Sequence, residues 1–575
     1  MERVGRLSLN TAALVIVRIV TAGLTFVLAI IINRDLGPEM AGIYTYAFTL
    51  YTIFQVIPDF GLGNITIRDV SQETSLMRRY FDNIASLRFL LGLLAFGLLM
   101  LTNFITLALQ GSGGLATEKF WVVFTVSFCL LIEQPFSNSL SENFISLERL
   151  VVVAFVYLIM GIMKVGMSIY VVVSGFENVL VYLVLIYIIT ILYSIVHLYL
   201  MYRRVLRTMK PAAADFSEMA VAETVTHARE PSGEAALEAL LADYSYAGLS
   251  EQPASAAGED EEARGDTAES LVPVPPPSDP GSVTRLGPFT MDGKLWRYLL
   301  ASAWPLAIVA AGVTIYAGMD IPLLSWLRGD TEVGLYNAAG MFAKFLVFLT
   351  LAINMAVLPV VSKVGGKYPE RLGEVWERLM RYAWLLVIPL VVIIPILARS
   401  VLVLQQHQFI EAWNATWLTM AAMNFTFMTA ISFPFFIVIN KQKTISAVVL
   451  FGLPLKAVLG AIAIYIWGYT GAAISVLVSE GVIFALLYWK LSRELEYHVD
   501  FFRFAAVPLI ILGTLYGVVF VLHNALVVGK DTFMASFQYA FIIAVALTIL
   551  YLGLAFVSKA LSRKGLQELN ELLTV

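Results

Sequence analysis

Stretches of about twenty mostly apolar residues recur along the chain, each long enough to cross the roughly 30 Å hydrocarbon core as a helix. They lie near 11–33, 41–60, 84–108, 120–140, 150–173, 179–202, 297–326, 335–360, 381–404, 412–438, 444–467, 470–490, 502–524 and 534–558. The pattern predicts an all-α integral membrane protein with about 14 transmembrane helices: six, a long polar stretch, then eight more. Arg3 and Arg6 precede an initial apolar run of about 22 residues. That run is too long for a signal-peptide core and lacks a small-residue cleavage site, so it reads as the first spanning helix.

Composition agrees: 59% of the 575 residues are hydrophobic and only 14% are charged, with a mean hydropathy of +0.80. Soluble domains carry about 25% charged residues. The net charge of −4 matters less than its placement. Alternate loops hold Arg3 and Arg6; Arg68, Arg78 and Arg79; Arg149; Arg203, Arg204 and Arg207; Lys363, Lys367 and Arg371; Lys441 and Lys443; Lys490 and Arg493; and Lys559, Arg563 and Lys564. The opposite loops hold only Arg34, Lys119, Arg328, Arg399 and Lys530. By the positive-inside rule both termini are expected in the cytoplasm, in a multi-pass protein of the cytoplasmic membrane. Cys129 is the single cysteine, which excludes an intrachain disulfide and Cys-x2-Cys metal or redox sites. The five histidines show no zinc spacing. A Gly-x4-Gly-Lys-Ser/Thr phosphate loop is lacking, which argues against ATP as direct energy source. No cofactor, metal or nucleic-acid partner is expected.

Residues 205–293 are different material, with GEDEEARGD at 258–266 and VPVPPPSDP at 272–280. They lack the apolar mass to offset ordering entropy, so a disordered cytoplasmic linker is expected, with one short helix at most over 234–241. A regulatory tail is the alternative to a tolerated linker. The flanking halves repeat. Gly37 to Tyr44 and Gly329 to Tyr336 share the pattern Gly-x4-Gly-Ile/Leu-Tyr, at an offset of 334 − 42 = 292. Lys164 and Lys456, Arg149 and Lys441, and Arg79 and Arg371 recur at the same 292. The expected organisation is a six-helix bundle over 1–204, the linker over 205–293, a second six-helix bundle over 294–492 and two further helices within 493–575. Six helices per unit makes the repeats parallel, an arrangement that places substrate between the halves. The glycines are expected to shape a short external turn, with Tyr44 and Tyr336 as aromatic anchors at the membrane–water boundary.

Charges within spans carry the functional signal, because a Lys or Arg at a helix centre costs roughly 2.5–3.5 kcal/mol on insertion scales. Lys164 and Lys456 fall near the middle of their helices, Lys344 well inside the eighth, Arg18 inside the first and Arg88 near the inner end of the third. The acids are Glu133, Asp320, Glu480 and, at an inner end, Asp59. Arg18, Arg88 and Asp59 lie close enough to the surface to snorkel or cap. Asp320 and Lys344 are candidates to pair with each other, and Glu133 and Glu480 to neutralise Lys164 and Lys456. The symmetric depth of Lys164 and Lys456 makes them the leading candidates to line a central cavity. An excess of Lys and Arg there suits an anionic, phosphate-bearing substrate.

LGPEMAGIY (36–44) and DFGLGNITIRD (59–69) resemble the opening of the polysaccharide repeat-unit flippases of the O-antigen type. The stretch over 302–342 is similar to their seventh and eighth helices through Pro305, Asp320, Gly334 and Tyr336, and YTGAAISVLVSEG (469–481) to a later turn. The larger group also holds peptidoglycan-precursor flippases and multidrug exporters. The resemblance implies a lipid-linked anionic oligosaccharide on undecaprenyl pyrophosphate, alternating access coupled to H+ or Na+, and engagement of substrate by a first-helix cation, here Arg18. Lys344, Arg88 and Asp320 complete the expected substrate-binding set with Lys164 and Lys456. Membrane lipid and a glycan polymerase or glycosyltransferase are the expected partners. The long insertion and the charged Lys164 and Lys456 depart from the family's pattern. A multidrug exporter is the first rival; exporters of that kind tend to carry an acid in the first helix, where this chain has Arg18. A glycan polymerase or ligase, with a large catalytic external loop, and a non-transporting scaffold are the others.

Overall fold

The computed structural model describes residues 2–109, 117–208 and 291–498, with a few isolated positions beyond them. The expected linker and the last two expected helices, 502–524 and 534–558, lie almost wholly outside these residues. Among the described residues the chain is helical and holds no strand. Among the described residues nine helices are long and apolar enough to cross a membrane. With no water in the bilayer core, a helix is how a single span satisfies its own backbone.

The first half comprises α1 (Glu2–Phe54), α2 (Val56–Asp59), α3 (Leu62–Gln72), α4 (Met77–Leu109), α5 (Glu118–Ser127), α6 (Cys129–Ile132), α7 (Ser139–Ser146), α8 (Leu150–Val173) and α9 (Val179–Thr208). A π-helical turn over Glu133–Asn138 joins α6 to α7. The second half comprises α10 (Gly293–Gly318), α11 (Asp320–Arg328), α12 (Asp330–Lys367), α13 (Leu372–Gln405), α14 (Trp413–Val438) and α15 (Gln442–Glu494). Two elements are hairpins whose limbs run on across a bend, α1 at Gly37 and α15 at Gly468. The apolar runs 11–33 and 41–60, and 444–467 and 470–490, separate those limbs, and non-helical backbone at Gly37 and Gly468 divides them.

The repeat is written into the backbone. Gly37 (φ 76°) and Gly329 (φ 95°) take the left-handed region at the same offset, 329 − 37 = 292. Glu148 (φ 57°) and Asn440 (φ 56°) do so as well, 440 − 148 = 292. A non-glycine residue rarely sits there, so two matched pairs mark the same turns built twice.

The halves meet closely along α1 and α12. A Cβ on Gly42 would stand 1.8 Å from the Asp330 carbonyl oxygen, and one on Gly334 would stand 1.9 Å from that of Pro38. The second glycine of each repeat thus serves backbone-to-backbone packing across the pseudo-twofold, the role of small residues in membrane interfaces. The expectation of boundary anchors at Tyr44 and Tyr336 is corrected. Tyr44 packs on Phe48 with ring centroids 4.6 Å apart, and Tyr336 directs its hydroxyl to Asp320 at 3.3 Å. Close helix approach turns both rings inward.

The same end of the bundle is tied by polar contacts between the halves. Lys119 Nζ reaches Asp330 Oδ1 at 2.8 Å and Ser325 Oγ at 2.8 Å. Asn33 Nδ2 donates to Gln405 Oε1 at 3.0 Å, and Gln406 Nε2 to the Arg34 carbonyl at 2.8 Å. These are the turns poor in Lys and Arg, gathered at one end as their parity requires. At the cation-rich end, α10 enters the first half. Leu295, Leu299 and Ala303 belong to an apolar core with Leu62, Tyr80, Phe144 and Leu198. Arg79 binds Asp292 at 2.8 Å, and Tyr298 donates to Asp69 at 3.2 Å. The α10–α11 helix therefore begins in the core of one half and ends against α15 of the other.

Candidate functional site

Two charged clusters flank the α1–α12 contact, one in each half. In the second half, α10 passes into α11 at Met319, whose backbone stays helical. A Cβ on Gly318 would lie 3.2 Å from Thr49 and 3.3 Å from Ile53 of α1, so this junction is pressed against the other half. Asp320, the first residue of α11, is 3% exposed. Its Oδ2 takes an ion pair from Lys456 Nζ at 2.8 Å and the Tyr336 hydroxyl at 3.3 Å. Lys456, also 3% exposed, donates further to the Tyr316 carbonyl at 2.8 Å and lies 4.5 Å from that ring's centroid. Glu480 instead accepts from Tyr316 at 3.0 Å and Thr426 at 3.0 Å. The expected pairings are therefore exchanged: Lys456 neutralises Asp320 rather than Glu480, and Lys344 reaches Asn337 at 2.8 Å. Packing of α11 on α15 brings Asp320 to Lys456, a contact that spacing along one helix cannot show.

In the first half, Glu133 opens the π-helical turn. Its Oε2 accepts the Tyr187 hydroxyl at 2.9 Å and the Tyr51 hydroxyl, and Gln55 donates to Tyr51 at 3.0 Å. Lys164 stands over the Tyr187 ring at 4.6 Å and the Phe48 ring at 5.5 Å, within electrostatic range of Glu133. A cation over aromatic faces is attracted by the ring quadrupoles yet remains weakly committed. Lys164 is half-buried and Lys344 exposed. Among the described residues, neither makes an ion pair within 4.0 Å.

The six candidate residues thus separate. Lys164 and Lys456 sit in different clusters, each beside an acid of its own half, rather than side by side. Arg88 is fully buried. Its two terminal nitrogens grip the Glu142 carboxylate at 2.8 Å each, and Asp59 lies at 3.3 Å. That fork is a bidentate arrangement, and it leaves Arg88 no surface for substrate in this conformation. Arg18 lies on the first limb of α1, and its side chain is outside those described.

Sequence reasoning missed Glu142, which fell beyond the expected end of its helix, and Tyr51, Tyr187 and Tyr316, unremarkable in a chain with 25 tyrosines. It also read Lys119 as a loop cation. Its ammonium is buried between the halves, 4.1 Å from the Tyr46 ring.

The fold resembles that of solved transporters. A lipid II flippase, MurJ in an inward closed conformation, matches with a TM-score of 0.59 and 11% identity over 94% of this chain and 99% of that one. A multidrug resistance MATE transporter of the MOP superfamily in its inward-facing conformation matches with 0.53 and 13% over 82% and 94%. A curated Shigella dysenteriae protein, provisionally named an O-antigen transporter, is 26% identical over 185 residues, 32% of this chain; the match spans 46% of that relative's length. The family profile described as polysaccharide biosynthesis protein matches residues 7–222 and 285–364, just over half of the chain. A multi-pass α-helical membrane protein built as two packed halves, the chain belongs to this polysaccharide biosynthesis protein family.

Proposed function

We propose that the protein is a flippase that carries an undecaprenyl-pyrophosphate-linked oligosaccharide from the cytoplasmic to the outer leaflet. It alternates between a state closed at the cation-poor end and a state closed at the cation-rich end, which is read as cytoplasmic. One observation carries this reading: among the described residues two mid-span lysines, Lys164 and Lys344, make no ion pair within 4.0 Å, although Glu133 and Asp320 lie within electrostatic range. A lysine facing lipid at that depth would be poorly tolerated, so a polar space is their natural surrounding. A pyrophosphate offers oxygens that replace water around an ammonium through charge-assisted bonds.

The buried pairs have a different task. Lys456–Asp320 and Arg88–Glu142 are mutually neutralised, so they hold helices in place while the halves rock. Lys119–Asp330 and Asn33–Gln405 bridge the halves and must part when the cation-poor end opens. Kinship with a protein named for O-antigen transport and a fold shared with a lipid II flippase support a lipid-linked glycan as cargo. The test is translocation in proteoliposomes. Lys164→Ala and Lys344→Ala should each lower the rate about tenfold or more, the scale of a lost charge-assisted contact, without loss of folded protein. Lys164→Arg should retain part of it. Wild-type rates in the Lys164→Ala, Lys344→Ala double variant contradict the assignment.

A further inference from the structure

Each half carries a cation-lined surface groove at the cation-rich end. In the second half, a groove of about 400 Å³ opens between the start of α15 and the end of its second limb. Lys443 enters from the start and Lys490 from the end, over Ala447, Phe451 and Leu486. In the first half, a cavity of about 240 Å³ lies between the start of α8 and the end of α9. Arg149 and Arg204 enter it from the corresponding ends, over Phe144, Val152 and Met201. Val152 and Thr444 are lining residues at the repeat offset, 444 − 152 = 292. The turns that precede both grooves are the matched Glu148 and Asn440 turns.

We propose that each groove seats the phosphate of an anionic phospholipid from the surrounding leaflet. Both are lined by two cations from neighbouring helix ends, and no acid stands among the described lining residues. Two donors on one phosphate make a charge-assisted site rather than a diffuse attraction. Below the cations the walls are apolar, and Phe451 is 55% exposed beside them, as an acyl chain requires. Lys490 lies 5.4 Å from the centroid of Trp489, an aromatic ring of the kind that settles at headgroup depth. A soluble anion uses the cations but has no use for the apolar wall, so the combination selects a lipid. The lipids would hold the ends of two equivalent hairpins, one in each half, at a fixed depth. This assignment does not depend on the identity of the transported cargo.

Native mass spectrometry of the full chain, transferred from vesicles of phosphatidylglycerol and phosphatidylcholine, counts the retained lipids. Wild type should retain phosphatidylglycerol at two sites in preference to phosphatidylcholine. Lys443→Ser with Lys490→Ser should weaken one site about thirtyfold, and Arg149→Ser with Arg204→Ser the other, at about fivefold for each cation near a membrane surface. Lys443→Arg with Lys490→Arg should retain its lipid, which separates charge from misfolding. Equal retention of the two lipids by wild type overturns the proposal. So does unchanged phosphatidylglycerol retention in the fourfold serine variant, or full displacement of the lipid by millimolar inorganic phosphate.

Discussion

At the scale of single residues, depth alone did not separate the charges. Lys164 and Lys456 occupy the same repeat position, yet one rests on aromatic rings and the other is locked to Asp320. Substitution should tell them apart. Removing one partner of a buried pair leaves an uncompensated charge, at about 3–5 kcal/mol. Lys456→Ala should therefore lower thermal stability in detergent sharply, and Lys456→Ala with Asp320→Ala should recover most of it. Lys164→Ala should leave stability near wild type, because it breaks no close ion pair. Equal destabilisation by the two single substitutions, or no recovery in the double variant, counts against this division. The sequence showed that both lysines needed an explanation. It did not show which acid each one meets, since Asp320 reaches Lys456 through the packing of α11 on α15, two helices far apart in the chain.

At the scale of elements, most spans were legible, because twenty apolar residues in lipid have few alternatives to a helix. The repeat was legible too, and the matched turns at Gly37 and Gly329 and at Glu148 and Asn440 bear it out. The glycines were read as turn formers, which holds for Gly37 and Gly329. Gly42 and Gly334 lie one turn later, where α1 and α12 touch backbone to backbone; only the pairing of distant helices reveals that. The path of α10 was equally hidden, since its apolar run does not say which half it packs on. Gly334→Leu should wedge α1 from α12 at the cation-poor end. Overpacking of this kind costs about 1–3 kcal/mol, which corresponds to an equilibrium shift of about 5–150-fold. A cysteine replacing Asn33 should then react with an impermeant maleimide faster by a factor in that range. An unchanged rate in a folded variant would show that the contact does not govern closure.

At the scale of the whole molecule, the halves are joined at both ends, by Lys119–Asp330 and Asn33–Gln405 at the cation-poor end and by α10, Arg79–Asp292 and Tyr298–Asp69 at the cation-rich end, and the proposed anion site draws on the mid-span lysines between them. In the proposed cycle the two similar halves, joined along α1 and α12 with α10–α11 passing from one core to the other, rock as units. Replacing 212–285 with a short Gly/Ser linker should leave translocation within about twofold of wild type, since a flexible tether of that reach still lets the halves meet. Loss of transport in a normally inserted protein would assign the segment a regulatory task. The account rests most directly on translocation through opening of the cation-poor end. In a Cys129→Ala background, Lys119→Cys and Asp330→Cys can be joined by a short reducible thiol cross-linker across the present ion pair. Translocation of a fluorescent undecaprenyl-pyrophosphate oligosaccharide in proteoliposomes should stop on cross-linking and return on reduction. Undiminished translocation by the fully cross-linked protein, or none by the reduced and wild-type proteins, would contradict it.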